Sequence, residues 1–490
     1  MLFNSLQFLI FFPIVTAGYF LLPFHWRWLW LLIASCIFYM AFVPIYILIL
    51  VVTIVVDYFA GLLIERTHGA ERGRYLVTSI IVTCAVLFVF KYYNFFGTNV
   101  NWIADQFNLN FAVDPLALIL PIGLSFHTFQ SLSYVVEVYR GNQKAERHFG
   151  IYSLYVMFYP QLVAGPIERP QNLLHQLREK HRFEYQRVAD GLKLMAWGLF
   201  KKVVIADRLA VVVNTVYADP TAHSGAALLL AAVFFAFQIY CDFSGYSDMA
   251  IGAAQVMGIR LMENFRRPFA SRTTSTFWTR WHISLSLWFR DYLYIPLGAN
   301  KYGTGRRIFN IMVTFLLSGL WHGANWTFLV WGGINGLLIS LGAATKKTRD
   351  ALARRVGLGQ TTLARRGIQI AITFSLFVFG LIFFRSASMS EAWYIVTHLF
   401  HDIGAWGDKH YWKEAFSYRS IGLDDDELRI AFFSIVALEA VQVAQSRGSI
   451  RAMLAQRHWA LRWTLYLLLV WSILTYGMYV ETQPFIYFQF

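Results

Sequence analysis

The chain has 490 residues, of which 57% are hydrophobic and only 14% are charged. This balance excludes an ordinary water-soluble enzyme, because about a quarter of the residues in soluble domains are charged. The net charge of +14 invites comparison with nucleic-acid-binding proteins. However, the Lys and Arg residues lie in short loops between apolar stretches and not on one continuous polar face, so membrane topology explains the charge better.

Apolar stretches of about the length of a bilayer crossing recur from one end of the chain to the other. They predict an all-α polytopic membrane protein with roughly ten to twelve helical crossings or half-crossings. No basic residue precedes Arg27, so we expect the first stretch to be retained as a span and not cleaved as a signal. The clearest stretches are residues 5–23, 28–43, 44–64, 76–95, 225–243 and 461–480.

Basic residues are concentrated in particular loops, which we expect to face the cytoplasm because of the positive-inside bias. Residues 97–115 and 214–224 contain no Lys or Arg, and the segment 386–428 contains an acidic run at 424–427. We expect these three segments, and both termini, to lie on the outer side. The basic loops are 66–74, 140–147, 169–187, 260–280, 346–366 and 447–462.

No linker, low-complexity tract or internal repeat divides the chain. We therefore predict a single membrane domain over residues 1–490, with short amphipathic helices in the polar interruptions 344–367 and 386–428. The cysteines Cys36, Cys84 and Cys241 lack C-x-x-C spacing, which argues against a disulfide framework or a thiolate metal site. We expect them to be packing residues.

The segment 238–300 mixes aromatic residues with charged side chains that lipid does not tolerate. Ionisable groups at membrane depth cost roughly 2.5–3.5 kcal/mol each, so they usually face the protein interior or a water-filled cavity. We expect a polar, aromatic-lined cavity open to the basic side, with Asp242 and Asp248 pairing with arginines. The charged residues and histidine of this segment include Asp242, Asp248, Arg266, Arg267, Arg280, His282, Arg290 and Asp291.

His322 lies in the run LLSGLWHGANW, residues 316–326, among apolar, aromatic and small residues. Small neighbours such as Ser318 and Gly323 allow a helix or a ligand to approach closely. We expect His322 at the deep end of the cavity. On the residues alone, a structural hydrogen bond to a neighbouring helix and a catalytic role both stay open.

Ordered motifs over nearly the whole chain resemble the membrane-bound O-acyltransferase (MBOAT) family, and within it the bacterial alginate O-acetylase branch. One departure is His127, where the family resemblance leads us to expect an aromatic residue such as Tyr. The motifs are LPIGLSFHTFQSLSYVVEVYRG (120–141), YPQLVAGPIERP (159–170), GLFKKVVIADRLA (198–210), QIYCDFSGYSDMAIG (238–252), FWTRWHISLSLWFRDYLYIPLG (277–298), WHGANW (321–326), IFFRSAS (382–388) and PFIYFQF (484–490).

The resemblance implies acyl transfer from a thioester to a hydroxyl, with His322 as the essential residue and His282 as its companion. It also implies a ring of helices around a thinned centre crossed by a tunnel. General chemistry agrees, because a sugar hydroxyl needs a base as it attacks a thioester, and His is suited to that task near neutral pH. A solvated or ion-paired role for His282 stays open. Asn325, Ser318 or backbone donors are candidates to hold the oxyanion, and the other predicted substrate-binding residues are Trp321, Arg280, Arg290, Asp291, Asp242 and Asp248.

We expect the donor to be a cytoplasmic thioester, most simply acetyl-CoA, and the acceptor to be an exported polysaccharide such as alginate. Transfer is either direct or through a periplasmic acetyltransferase, in the bacterial inner membrane. No bound cofactor, metal or nucleic acid is expected. Two alternatives are D-alanyl transfer to teichoic acid from a carrier protein, and transport of an acyl group or glycan without bond chemistry.

Motifs of competing chemistries are absent from the sequence. There is no G-x-S-x-G elbow, no H-E-x-x-H zinc motif and no phosphate-binding P-loop. The pair His398 and His401 stands alone in a segment that we expect on the outer side, and we do not interpret it as a metal site.

Overall fold

The computed structural model describes residues 1–359, 362–479 and 485–486. These residues form helices joined by turns and loops, and no strand occurs among them, so the predicted all-α class is confirmed. Of the ending 484–490, on which part of the family resemblance rests, residues 484 and 487–490 lie outside the described residues.

Most of the chain lies in helices, and those of six or more residues are numbered here in chain order. The first ten are α1 Leu6–Leu21, α2 Phe24–Met40, α3 Ile47–Arg66, α4 Gly69–Leu87, α5 Tyr93–Gln106, α6 Leu124–Arg140, α7 Phe149–Met157, α8 Tyr185–Phe200, α9 Asp207–Ala218 and α10 Gly225–Met257. The others are α11 Ile283–Phe289, α12 Gly303–His322, α13 Trp326–Ala344, α14 Lys346–Arg355, α15 Leu363–Arg385, α16 Met389–His398, α17 Lys409–Ala415, α18 Asp425–Ala444, α19 Ile450–Ala455 and α20 Trp459–Tyr476.

Within the described part of the chain, five helical segments are long and apolar enough to cross a membrane, and the shorter helix α1 is also apolar. All six apolar stretches predicted from the sequence form helices, which confirms a polytopic membrane protein. The interruptions 344–367 and 386–428 contain the predicted short helices α14, α16 and α17. The five long segments are Pro44–Arg66, Gly69–Gln106, Gly225–Met257, Trp326–Ala344 and Leu363–Arg385.

Two differences from the sequence expectation concern α10 and Cys84. Helix α10 continues beyond the predicted end at residue 243 to Met257, because polar residues such as Ser244 and Ser247 are buried against protein and not exposed to lipid. Cys84 is exposed, whereas Cys241 is buried. Cys84 lies in an apolar helix, where an exposed position faces lipid, so it is not the core packing residue that we expected.

The residues group into two compact units. Unit 1 comprises Met1–Met195 and Tyr246–Glu263, and unit 2 comprises Ala196–Gly245 and the residues from Asn264 onward. Helix α10 therefore contributes its first part to unit 2 and its last part to unit 1.

In unit 1, helices α3, α4 and α6 pack against one another. Gly61 makes the approach of α3 to α6 possible, because a Cβ atom there would lie 2.6 Å from the ring of Tyr134. Helix α6 buries polar residues as well as apolar ones. Among these is His127, which is 1% exposed, and neither of its ring nitrogens has a hydrogen-bond partner among the described residues.

In unit 2, helices α12 and α13 form a tight antiparallel hairpin that also packs against α15. A Cβ atom at Gly319 would lie 2.2 Å from the carbonyl oxygen of Phe328, and one at Gly332 would lie 2.3 Å from that of Phe315. Only glycine permits this backbone approach. The hairpin brings the residues around its turn, 322–326, against α15.

Candidate active site

His322 is the last residue of α12 and is 5% exposed. Aromatic rings surround its imidazole, with centroid distances of 4.8 Å to Trp321, 5.0 Å to Trp331 and 5.3 Å to Phe384. The last two rings are supplied by α13 and α15, so the hairpin and its neighbour together form the wall. This enclosure keeps bulk water away from the imidazole.

His282 immediately precedes α11 and is 1% exposed. Its backbone has φ 43° and ψ 57°, a left-handed conformation that costs a non-glycine residue about 1–3 kcal/mol and that clusters at functional sites. Its ring meets that of Phe243 edge-on at 4.6 Å. A strained backbone that aims a buried imidazole supports a functional role better than a solvated one.

Trp321 links the two histidines, since its ring lies 4.8 Å from that of His322 and 6.1 Å from that of His282. The structure therefore brings together, within unit 2, the two residues that the sequence analysis proposed as catalytic. They share one aromatic wall although they are forty positions apart in the chain.

Asn264 fixes the loop that carries His282. Its backbone carbonyl accepts the Ile283 N–H at 2.9 Å, and its side-chain oxygen accepts from the Ser284 N–H at 3.3 Å and the Ser284 hydroxyl at 2.6 Å. Asn264 is buried, and it ties down the first turn of α11, next to His282. Asn264 was not predicted from the sequence, because no local pattern connects positions twenty apart.

Four arginines, Arg266, Arg267, Arg272 and Arg280, lie in the segment that precedes His282. Partial burial, and then the positive charges of Arg267, Arg272 and Arg266, lower the pKa of Arg280. Such a cluster of guanidinium groups attracts anions and suits phosphate in particular. The Arg280 side chain also donates weakly to the carbonyl of Ala270, at 3.4 Å.

Arg290 and Asp291, which were also predicted to bind substrate, form an ion pair of 2.8 Å at the surface, where the Arg290 side chain is 56% exposed. Exposed pairs of this kind contribute little to stability. Arg280 and Arg290 were predicted together as substrate-binding residues, and the charges of Arg266, Arg267 and Arg272 act on Arg280.

Asp242 is part of a buried charge cluster and pairs with a lysine, not with an arginine as expected. Lys202 Nζ donates to Asp242 Oδ1 at 2.6 Å and contacts Asp207 Oδ1 at 2.8 Å, and the backbone N–H of Ile486 donates to Asp242 Oδ2 at 2.6 Å. Lys202 reaches Asp242 from a π-helical segment, Lys201–Ala206, that precedes α9. In the motif 198–210, Lys202 and Asp207 stand in a largely apolar run. A buried ion pair could have been predicted from this pattern.

The predicted oxyanion donors have different positions. Asn325 caps the N-terminus of α13, where its oxygen accepts the Thr327 N–H at 3.1 Å and its amide donates to the Ala387 carbonyl at 3.1 Å. Its side chain therefore fixes the hairpin turn. Ser318 is buried one turn before His322 on the same face of α12.

Asp248 belongs to unit 1 and is partly buried. The structure thus does not group it with the other predicted residues within unit 2. No group of three or more His, Cys, Asp or Glu residues that could hold a metal ion occurs in the part of the chain that the structure describes.

Comparison with known proteins identifies the family. A model of the membrane-bound O-acyltransferase family matches residues 148–389, a range that includes both histidines and the arginine cluster. A protein of Pseudomonas aeruginosa named probable alginate O-acetylase AlgI is 38% identical over 414 residues, which cover 83% of this chain and 76% of that protein. The chain belongs to the membrane-bound O-acyltransferase family.

Two other relatives of this MBOAT protein carry different names. The peptidoglycan O-acetyltransferase of Helicobacter pylori is 34% identical over 80% of this chain and 78% of its own length. The teichoic acid D-alanyltransferase of Streptococcus thermophilus is 27% identical over 56% of this chain and 70% of its own length. The predicted family and the predicted enzyme class, an O-acyltransferase in a membrane, are both confirmed.

Proposed function

We propose that this MBOAT protein transfers an acetyl group from a cytoplasmic thioester to hydroxyl groups of an exported polysaccharide, in the inner membrane of a bacterium. The observation that carries the proposal is the buried His322, walled by Trp321, Trp331 and Phe384 and linked through Trp321 to His282. The chain would act as one membrane domain, with access to the donor from one side and to the acceptor from the other.

In this mechanism His322 acts as the general base. It takes the proton of the attacking hydroxyl as the new C–O bond forms at the thioester carbonyl carbon, and a tetrahedral oxyanion results. Ser318 or backbone N–H groups near the hairpin turn stabilise that oxyanion. The oxyanion then collapses, the C–S bond breaks, and the thiolate receives a proton from the imidazolium, which restores His322. His282 completes the site from the other side of Trp321.

The arginine cluster supports acetyl-CoA as the donor. Burial lowers the pKa of Arg280, and the positive charges of Arg267, Arg272 and Arg266 lower it further. Such a concentration of positive charge matches the phosphates of coenzyme A. An acyl carrier protein with an acidic surface is the second donor that this charge fits.

The relatives support a polysaccharide acceptor. The names of two of them describe O-acetylation, one of alginate and one of peptidoglycan, with 38% and 34% identity over 80% or more of this chain. D-alanyl transfer is the alternative, and it rests on a relative that is 27% identical over 56% of the chain. We propose that the acetyl group reaches the polymer directly or through a periplasmic acetyltransferase.

The proposal is tested with purified protein in lipid nanodiscs, labelled acetyl-CoA and an alginate oligosaccharide. His322→Ala should lower the transfer rate about 100- to 10,000-fold, which is the usual effect of removing a general base. The matched control is His398→Ala, because His398 is a histidine of the same unit that stacks on Tyr394. The variants must be folded by size-exclusion chromatography. Undiminished transfer by His322→Ala would overturn the assignment, and transfer of D-alanyl but not acetyl would establish the alternative.

A further inference from the structure

Unit 1 contains a cavity of about 210 Å³ that the proposed chemistry does not use. It lies where the end of α1 and the start of α2 meet the first turns of α7 and residues 177–179. Part of its lining is apolar and consists of the buried side chains of Leu31, Ile151 and Leu154, each at most 4% exposed. Its rim is polar and basic, with Arg27, His148 and Arg178 among the lining residues.

Arg27 supplies a positive charge without a carboxylate partner among the described residues. Its guanidinium donates to backbone carbonyls of His181 at 2.7 Å, Leu22 at 3.2 Å and Phe20 at 3.4 Å, and it lies 5.0 Å from the ring centre of Tyr19. These contacts fix the position of the guanidinium, and none of them is with an anion. An anion at the cavity would supply such a partner.

His148 adds a directed donor. Its Nδ1 accepts the Ile151 N–H at 3.2 Å, so the hydrogen of the neutral ring is on Nε2. The lining also contains one acid, Glu179, and Arg178 is already paired with Glu146. Arg27 is therefore the arginine of the lining that has no carboxylate partner among the described residues, and Glu179 adds one negative charge to the same lining.

The size and surroundings of the cavity distinguish between anions. A volume of about 210 Å³ is below the roughly 300 Å³ at which pockets for drug-sized molecules begin, so it admits a headgroup but not a whole nucleotide cofactor. Beside it, the end of α1 is exposed at Leu21 (84%), and the apolar residues Leu9 and Leu6 are exposed further along the same helix, by 69% and 72%. Acyl chains pack on such residues, whereas a soluble anion gains nothing from them.

We propose that this cavity binds the phosphate of an anionic phospholipid headgroup, with the acyl chains lying along α1. The cavity is next to the loop 169–187, which the sequence predicts to be cytoplasmic, and basic pockets between helices on that side of a membrane bind anionic lipid headgroups. The bound lipid would hold the α1–α2 turn at the level of the headgroups. The proposal is independent of the acyl transfer described above.

Native mass spectrometry of the full-length protein in detergent tests the proposal, by titration with phosphatidylglycerol, phosphatidylcholine, coenzyme A and inorganic phosphate. We expect phosphatidylglycerol to bind more tightly than phosphatidylcholine. Arg27→Gln should weaken it about fivefold, the usual contribution of one basic residue near an anionic lipid surface, and Arg27→Lys should retain most of the affinity. Arg72→Gln is the matched control, because Arg72 also donates to a backbone carbonyl and lies over a tyrosine ring but does not line the cavity.

Three results would overturn the proposal. Equal losses for Arg27→Gln and Arg72→Gln would show that only diffuse surface charge matters. The cavity would be assigned to a soluble anion if Arg27→Gln weakened the binding of coenzyme A or inorganic phosphate and the protein bound phosphatidylglycerol no more tightly than phosphatidylcholine. If Arg27→Gln does not fold, His148→Asn removes the Nε2 donor from the lining and supplies a side-chain oxygen that can accept the Ile151 N–H. It should then weaken phosphatidylglycerol about threefold, and unchanged binding would refute the site.

Discussion

Replacement of Lys202 by Met should destabilise the protein more than replacement of either of its acidic partners. The Lys202 side chain is 1% exposed, and its Nζ lies 2.6 Å from an oxygen of Asp242 and 2.8 Å from one of Asp207. Lys202→Met leaves two carboxylates buried without this cation. Breaking a buried pair in this way costs about 3–5 kcal/mol, so we expect a loss at the upper end of that range.

Asp207→Asn leaves the Lys202–Asp242 pair intact, one cation with one anion. We expect it to cost about 1–3 kcal/mol, the penalty of a poorly satisfied buried hydrogen bond. The measurement is the free energy of unfolding in mixed micelles titrated with dodecyl sulfate. The control is Lys193→Met, whose pair with Asp190 is at the surface and should contribute less than about 1 kcal/mol. The reasoning would be refuted if Lys202→Met and Asp207→Asn lowered the free energy of unfolding equally, or if Lys202→Met lowered it no more than the control Lys193→Met does.

Three further predictions concern the donor, the topology and pH. Arg280→Ala should raise the KM for acetyl-CoA more than the KM for acceptor, with a smaller effect at high salt, whereas a selective rise in the acceptor KM would reverse the proposed donor side. In a cysteine-free background, an impermeant thiol reagent outside intact cells should label Cys at position 425 and not at position 72, and the opposite pattern would invert the topology. Burial raises the pKa of Glu168 to about 7, although hydrogen bonds from Asn172 and the Met262 N–H and the charge of Arg169 lower it. The folded protein therefore binds this proton more tightly than the unfolded chain, so the free energy of unfolding should fall as pH rises from about 4.5 through 7. Glu168→Gln should flatten that part of the stability profile, and an unchanged profile would contradict the assignment.

The six apolar stretches could be predicted to be helical from the sequence, because apolar stretches of bilayer length have few alternatives in a membrane. The sequence was less informative about α10, which continues past residue 243 to Met257. The hydropathy of a stretch measures its fit to lipid, whereas Ser244 and Ser247 are buried in protein. The end of an apolar run is therefore not the end of a helix where a protein interior replaces the bilayer.

The candidate site could also be predicted only in part from the sequence. His322 and His282 were identified from local motifs, and the structure places both beside Trp321. The roles of Asn264 and Lys202 depend on contacts with residues twenty and forty positions away, which no local pattern encodes. Asn325 was proposed as an oxyanion donor, but an Asn just before an apolar helical run is also a helix-cap signal, and capping is what its side chain does here.

The backbone of unit 2 marks the same site without reference to any family motif. Segments Lys201–Ala206 and Arg290–Tyr294 are π-helical, and both Arg267 and His282 have left-handed backbones. Irregular backbone exposed to lipid leaves polar groups unsatisfied, so at membrane depth it persists only where protein or a water-filled cavity surrounds it. π-helical turns and strained residues also concentrate at functional sites. Arg267 and the π-helical segment Arg290–Tyr294 flank the segment that carries His282 in the sequence, and ring contacts lead from His282 through Trp321 to His322. Backbone geometry and side-chain chemistry thus support the same location for the reaction, each on separate physical grounds.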